Sequence, residues 1–215
     1  MLESRKYVLT VEGETEKWYF LWLKDQINKH GNRTYNANII PKVIQSPRSF
    51  YKGANSKLTP EIFHICDIES KEPIHIDKFQ NILKEMKEAR KEKNIKYILG
   101  YSNFTFELWI ILHKKDCFKT FNNRRQYLAS IQECFNEKFE DLGHYKQENA
   151  FKRCLDKLCL DDVISAIKRA DRLKQLNKES NNKLIKYCNY SYYIENPALS
   201  INEVVKRILI ECGVM

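Results

Sequence analysis

Within Val11-Glu12-Gly13-Glu14-Thr15-Glu16, three carboxylates crowd one glycine turn. Like charges a few ångströms apart repel and raise each other's pKa. A hard divalent cation with oxygen ligands is the usual relief. A second acidic pair, Asp67-Ile68-Glu69, follows the apolar run at 62–66. A spacing of two at a strand end puts both carboxylates on one side of the pleat. Glu12, Glu16, Asp67 and Glu69 in one crevice would hold one or two Mg2+ or Mn2+ ions and serve phosphoryl chemistry. Each motif alone also has a plain structural reading. Acidic groups in a first helical turn meet the helix dipole, and an Asp-x-Glu after a strand can simply open a loop. A third block, Ser102-Asn103-Phe104-Thr105-Phe106-Glu107-Leu108-Trp109, sets Glu107 among aromatics. A carboxylate there needs a metal, a lysine or the amides of a helix N-terminus, because burying it unpaired is costly.

The elements that must position these groups are legible as periodicity. Residues 5–11 read as a buried strand and 14–29 as a helix, with Trp18, Leu21, Trp22 and Ile27 on one face. Residues 36–43, 62–66 and 96–101 read as further strands. An amphipathic helix follows Pro73, with Ile76, Phe79, Ile82, Leu83, Met86 and Ala89 in a stripe. Pro, Gly, Asn and Ser mark 45–57 as a loop, and polarity marks 177–189 as another. Helices are expected over 125–135, over 160–176 and over 200–211, the last capped by Ser200 with Glu203 in capping-box position. Residues 190–194 read as an edge strand. Alternating strands and helices predict an α/β fold, with a mostly parallel sheet covered on both faces and a helical C-terminal part. The division expected is a core over 1–113 and a mainly helical extension over 114–215, packed as one unit. In open sheets of this kind, ligands gather at the carboxyl ends of the strands, where each acidic motif falls.

Composition narrows the classes. The chain has 215 residues, is 43% hydrophobic and carries 37 Lys/Arg against 28 Asp/Glu, a formal charge of +9. Global disorder is excluded by that apolar fraction. No apolar run approaches the roughly 20 residues of a membrane helix, and the charged N-terminus is unlike a signal peptide. A cytoplasmic location is therefore expected. The seven cysteines contain no CxxC pair, so they read as small buried hydrophobes in a reducing compartment. A basic surface beside an acidic corner suits a polyanion, RNA or DNA. Arg48, Phe50, Tyr51 and Lys52 mix cations with rings, as single-strand binding requires, though the same residues fit a solvated loop with two anchoring aromatics. Arg169 and Arg172 with Lys168, and Lys152, are further candidates for nucleic-acid phosphates, or solvated helix faces. His64 and His113 fall within apolar stretches and read as structural.

EGETE, then an acidic pair after a strand, then SNFTFELWIILH, resembles the RloB-like family, which includes the AbiLii-type abortive-infection proteins. Tyr145-Lys146 and Asn196-Pro197 also fit its outline. The resemblance spans about Lys6 to Leu209. It implies a Toprim-like fold, related to that of OLD-type nucleases, and a metal-dependent nuclease of antiviral defence working with an AAA- or ABC-type ATPase. It implies that Glu12 binds metal or acts as general acid/base, that Glu16 is the second glutamate of that motif, and that Asp67 and Glu69 match an Asp-x-Asp metal pair. Glu107 would match a later acidic ligand. Lys146, or in second place Lys152, would be the lysine facing the transition state. Glu69 departs from the aspartate of the pattern, and Phe104 from its proline. No GxxxxGK[ST] motif occurs, so ATP chemistry would belong to another chain. The rival readings are a non-catalytic nucleic-acid-binding or regulatory subunit of the ATPase, and a nucleotide phosphotransferase.

Overall fold

The computed structural model describes residues 2–53 and 61–215. Four parallel strands, β1 (Ser4–Val11), β2 (Asn36–Val43), β3 (Glu61–Ile68) and β4 (Lys96–Asn103), form a sheet in the order β2-β1-β3-β4. From β1 the chain steps outward through α1 (Glu14–Lys29) to β2, then returns to the other side of β1 for β3. The strand order therefore reverses between β1 and β3. A crevice opens at their carboxyl ends, the place where such sheets bind ligands.

The central strands are apolar on both sides because both sides are covered. Phe63 and Ile65 of β3 join a cluster with Tyr19, Phe20, Leu23 and Ile27 of α1. Ile62, Cys66 and Ile68 point the other way, into a cluster with Phe79, Leu83 and Met86 of α3 (Pro73–Lys93). The α1-side cluster continues through α4 (Glu107–Leu112), α5 (Tyr127–Phe135), α7 (Glu148–Leu155), α8 (Leu160–Glu179) and α9 (Ile201–Glu211). A short α6 (Leu142–Tyr145) contributes Tyr145 to it. This one core draws on residues from both sides of position 113. No helix among the described residues is long and apolar enough to cross a membrane.

Several sequence expectations need correction. Residues 47–53 of the expected loop form a helix, α2 (Pro47–Gly53); positions 54–57, including Lys57, lie outside the described residues. Ser46 accepts a hydrogen bond from the Ser49 amide at 3.2 Å, so Ser46-Pro47 is an N-cap followed by a first-turn proline. Within 177–189, α8 extends to Glu179 and Leu184–Tyr187 forms β5, antiparallel to β6 (Tyr190–Tyr193). Cys188 and Asn189 both take positive φ, 51° and 74°, the geometry of a two-residue hairpin turn. Ser200 does not cap α9 with its side chain. Its hydroxyl accepts from the Tyr101 amide at 3.1 Å and reaches the Leu99 carbonyl at 3.3 Å, closing part of the β4 edge. Both expected structural histidines are fully buried. Six cysteines are buried or half-buried, while Cys159, at the start of α8, is exposed.

Candidate active site

The acidic corner forms where β1 ends and α1 begins. Gly13 caps α1 in extended conformation (φ −146°). A Cβ there would stand 3.0 Å from a Glu16 carboxylate oxygen, so a side chain at this position would crowd Glu16. The neighbouring Glu12 reaches across the switch point, and its Oε2 accepts the Asp67 amide at 3.2 Å. A carboxylate at the end of β1 thus meets the backbone of the acidic residue near the end of the neighbouring β3, 55 positions away.

Asp67 is fixed from two sides. The Ser102 hydroxyl of β4 donates to its Oδ1 at 2.6 Å, and the Phe106 amide donates to its Oδ2 at 3.2 Å. Glu16 is buried and accepts from the Thr15 hydroxyl at 3.0 Å. Glu107, at the start of α4, is fully buried and accepts from the Thr105 hydroxyl through Oε2. Its Oε1 faces Lys146 Nζ at 3.2 Å, an ion-pair contact outside hydrogen-bond geometry. Phe104, preceding this helix, has φ 68° and donates its amide to Ile68 O at 2.7 Å. A proline, locked near φ −65° and lacking that N–H, could not take this turn. The turn here therefore differs from the Ser-Asn-Pro pattern.

A cavity of ≈ 270 Å³ is lined by Glu12, Glu16, Asp67, Glu69, Lys78, Arg124 and Lys146, among others. Burial and mutual repulsion dominate its electrostatics. Desolvation, with Glu16 adding to it, pushes the Glu12 carboxyl up to about 7 even though the Asp67 amide opposes the rise. Asp67 is raised well above the usual carboxylate range by burial and by Glu12 and Glu16. Burial, then Glu107, raises Glu16. Burial works against the Lys146 ammonium, but Glu107, Asp67 and Glu16 outweigh it and its pKa rises. Glu69 differs. It lies just beyond the strand, and Lys78 at 2.5 Å holds its carboxyl below the usual range. It reaches the same cavity but not from the same pleat as Asp67, because β3 ends at Ile68.

These oxygens are hard donors suited to Mg2+ or Mn2+, and the buried Glu107 Oε1 has no hydrogen bond, only its ion-pair contact with Lys146. Among the described residues, no three His, Cys, Asp or Glu side chains already stand as a metal cluster. The reason is visible in the bonds above: hydroxyls, two backbone amides and two lysines occupy much of the acceptor capacity. The donor chemistry fits a divalent cation, and ligation requires side chains to turn from these partners.

The other expected nucleic-acid residues do not line this cavity. Tyr51 is fully buried in the α3-side core, so its ring is not free to stack on a base, which overturns that expectation. Arg48 pairs with Glu88 on α3. Lys52 is exposed at the end of α2. Lys152 pairs with Glu148 at 2.5 Å. Arg169 donates to the Leu112 and His113 carbonyls at 2.7 and 3.0 Å, closing the C-terminal end of α4, and is half-buried there. Arg172 pairs with Asp116 at 3.4 Å and lies over the Phe118 ring. Sequence reasoning missed Lys78 and Arg124, and it quoted Ser102 in the third block without assigning it a role at Asp67. The one usable signal was Arg124-Arg125, the sole Arg-Arg dipeptide in the chain.

A family model described as RloB-like protein matches residues 7–208. No curated protein and no solved structure matches the chain. The match covers nearly its whole length, so the chain belongs to the RloB-like family.

Proposed function

We propose that this RloB-like protein is a metal-dependent nuclease that hydrolyses phosphodiester bonds, acting in antiviral defence with a partner ATPase of the AAA or ABC type. The observation that carries the reading is the convergence of Glu12, Glu16 and Asp67 on one cavity at the strand-order reversal, with Glu12 bonded to the Asp67 amide and Glu107 against Lys146, which lines the same cavity. Glu12 and Asp67, with Glu16, Glu107 and on the rim Glu69, are the groups that would hold Mg2+ or Mn2+. Such an ion, when bound, polarises a phosphoryl oxygen and lowers the pKa of water.

The chain's own groups supply the rest. Water forms a new P–O bond as the bond to the leaving oxygen breaks. A carboxylate of the cavity that does not itself ligate the ion would take the water proton and pass it on to the leaving oxygen. Lys146, kept protonated by its carboxylate neighbours, offsets negative charge on the phosphoryl oxygens.

Labelled single-stranded DNA, duplex DNA and transfer RNA are incubated with the chain, alone and with its ATPase, in Mg2+ or Mn2+. Cleavage of one substrate should fall about 100-fold or more in Glu12→Gln and in Asp67→Asn. Undiminished cleavage in both variants would refute the reading. A second reading, a non-catalytic regulatory subunit, is favoured by one observation: both Asp67 oxygens already have protein donors. It predicts no cleavage under any condition, with ATPase turnover changed by the chain and equally by its Asp67→Asn variant. Activity confined to mononucleotides would instead indicate phosphotransfer.

A further inference from the structure

We propose that Arg124 and Arg125 form a phosphate-binding limb of the carboxylate cavity, gripping the phosphates of a polynucleotide strand that flank the reacting one; the proposal rests on the nuclease reading and names how its substrate is held. Arg124 lines the carboxylate cavity and also two cavities that adjoin it, of ≈ 520 and ≈ 750 Å³. Arg125 lines both of the adjoining ones. One adjoining cavity shares Glu69 with the central one and the other shares Lys146; carboxylates also line them, Glu69 and Glu72 in the first and Glu140 and Asp141 in the second, but among the described residues none is within ion-pair distance of either arginine.

Their charge is available. Arg5, Arg48, Arg153, Arg169, Arg172 and Arg207 all have carboxylate partners. Neither Arg124 nor Arg125 has one among the described residues. Guanidinium groups make paired hydrogen bonds to phosphate, and such pairs are stronger and more directional than a lysine contact. A cluster of carboxylates repels a polyanion, so attraction must come from beside it. A single phosphate on a mononucleotide would need only the centre. Two free arginines leading away from it suit a strand with a phosphate at every residue.

The pair is also held in place. It sits on a 3-10 turn, Arg124–Gln126, whose capping residue Asn123 accepts the Arg125 amide at 2.8 Å. Gln126 Oε1 accepts the amides of Asn122 and Asn123 at 2.8 and 3.1 Å. Asn196 anchors the approach by donating to the Phe121 carbonyl at 2.9 Å, and the buried Tyr127 hydroxyl donates to Asn196 at 2.9 Å. Neither arginine side chain contributes to these bonds, so replacing both leaves the turn intact.

The test is equilibrium binding of fluorescent 12-nucleotide single-stranded DNA and RNA to the full chain in chelator, across a salt series. Each phosphate contact on a single strand contributes about 0.7 to the slope of log K against log salt. Arg124→Ala/Arg125→Ala should reduce the slope by about 1.4 and weaken low-salt binding about tenfold or more, with an unchanged melting temperature. Arg124→Lys/Arg125→Lys should keep the slope and recover part of the affinity. Arg153→Ala, paired with Glu137 and lining none of these cavities, should change neither. A slope in the double alanine variant equal to that of the unmodified chain, or no binding by the unmodified chain, overturns the proposal. Because binding is read without metal, the two readings fail separately. Binding through the arginines without any cleavage defeats only the nuclease. Cleavage with an unaltered salt slope defeats only the limb.

Discussion

Asp67 shows how a single side chain can be both scaffold and candidate ligand. It ties the end of β3 to Ser102 on β4 and to the entry of α4, and its amide holds Glu12. A neutral asparagine preserves the shape and removes the charge, which makes it the informative change at this position. His113 presents the opposite case, a titratable group with a structural task. Its Nδ1–H donates to the Trp109 carbonyl at 2.9 Å and its Nε2 accepts from the Tyr19 hydroxyl at 3.1 Å. Burial pushes its pKa down to about 4. The unfolded imidazole titrates near 6.5, so the folded state binds this proton less well. Its contribution to stability is complete above about pH 6.5 and is lost as pH falls toward 4, by up to about 3 kcal/mol. His64, pushed down to about 3 by burial, adds a loss of the same sign. His113→Gln should be less stable than the parent at pH 7.5, yet should lose less on going to pH 4.5, as read by urea midpoints. An equal or larger loss in the variant would show that His113 is not held neutral.

At the level of elements, β4 governs how the C-terminal helix docks. Gly100 leaves room for α9: a Cβ there would lie 2.7 Å from Ile65 Cδ1, 3.1 Å from Val204 Cγ2 and 3.6 Å from Ile201 Cα. Gly100→Ala should therefore destabilise by about 1–3 kcal/mol through overpacking. Ile65→Val removes the closest carbon, so in the Gly100→Ala background it should restore stability instead of lowering it further. Additive losses in the denaturation series would show that another contact is responsible. The strands and long helices were legible because their apolar periods are complete within each segment. α2 was not, because seven residues carry little period and its stability comes from far away: Tyr51 in the α3-side core and Glu85 accepting from Ser46 and the Arg48 amide. The same division runs through the site. Glu12, Glu16, Asp67 and Glu107 announce themselves as carboxylates at strand and helix ends. Arg124 and the contact of Lys146 with Glu107 depend on how distant segments return over the sheet, and no local pattern encodes that.

Taken whole, the protein carries an excess of positive charge outside and a knot of carboxylates within. Lys78 and Lys146 offset part of that knot, while burial and repulsion raise Glu12, Glu16 and Asp67. Folding in the absence of a divalent ion therefore works against electrostatic cost at this one place. An ion that binds only the folded chain stabilises it by mass action, about 2.7 kcal/mol at a concentration 100 times its Kd. For a chain of this size each kcal/mol moves the melting temperature by about 2–4 °C. Mg2+ or Mn2+ should accordingly raise the melting temperature by several degrees at fixed ionic strength, with matched Na+ having no such effect. Asp67→Asn and Glu12→Gln should abolish the shift. Glu148→Gln, which only frees Lys152 on an exposed face, should retain it. This measurement needs neither substrate nor partner, so it separates cation binding from turnover. A full shift in both cavity variants would place the ion elsewhere on the molecule, and the four carboxylates would then be explained by Lys146, the threonines, Ser102 and the Asp67 and Phe106 amides alone.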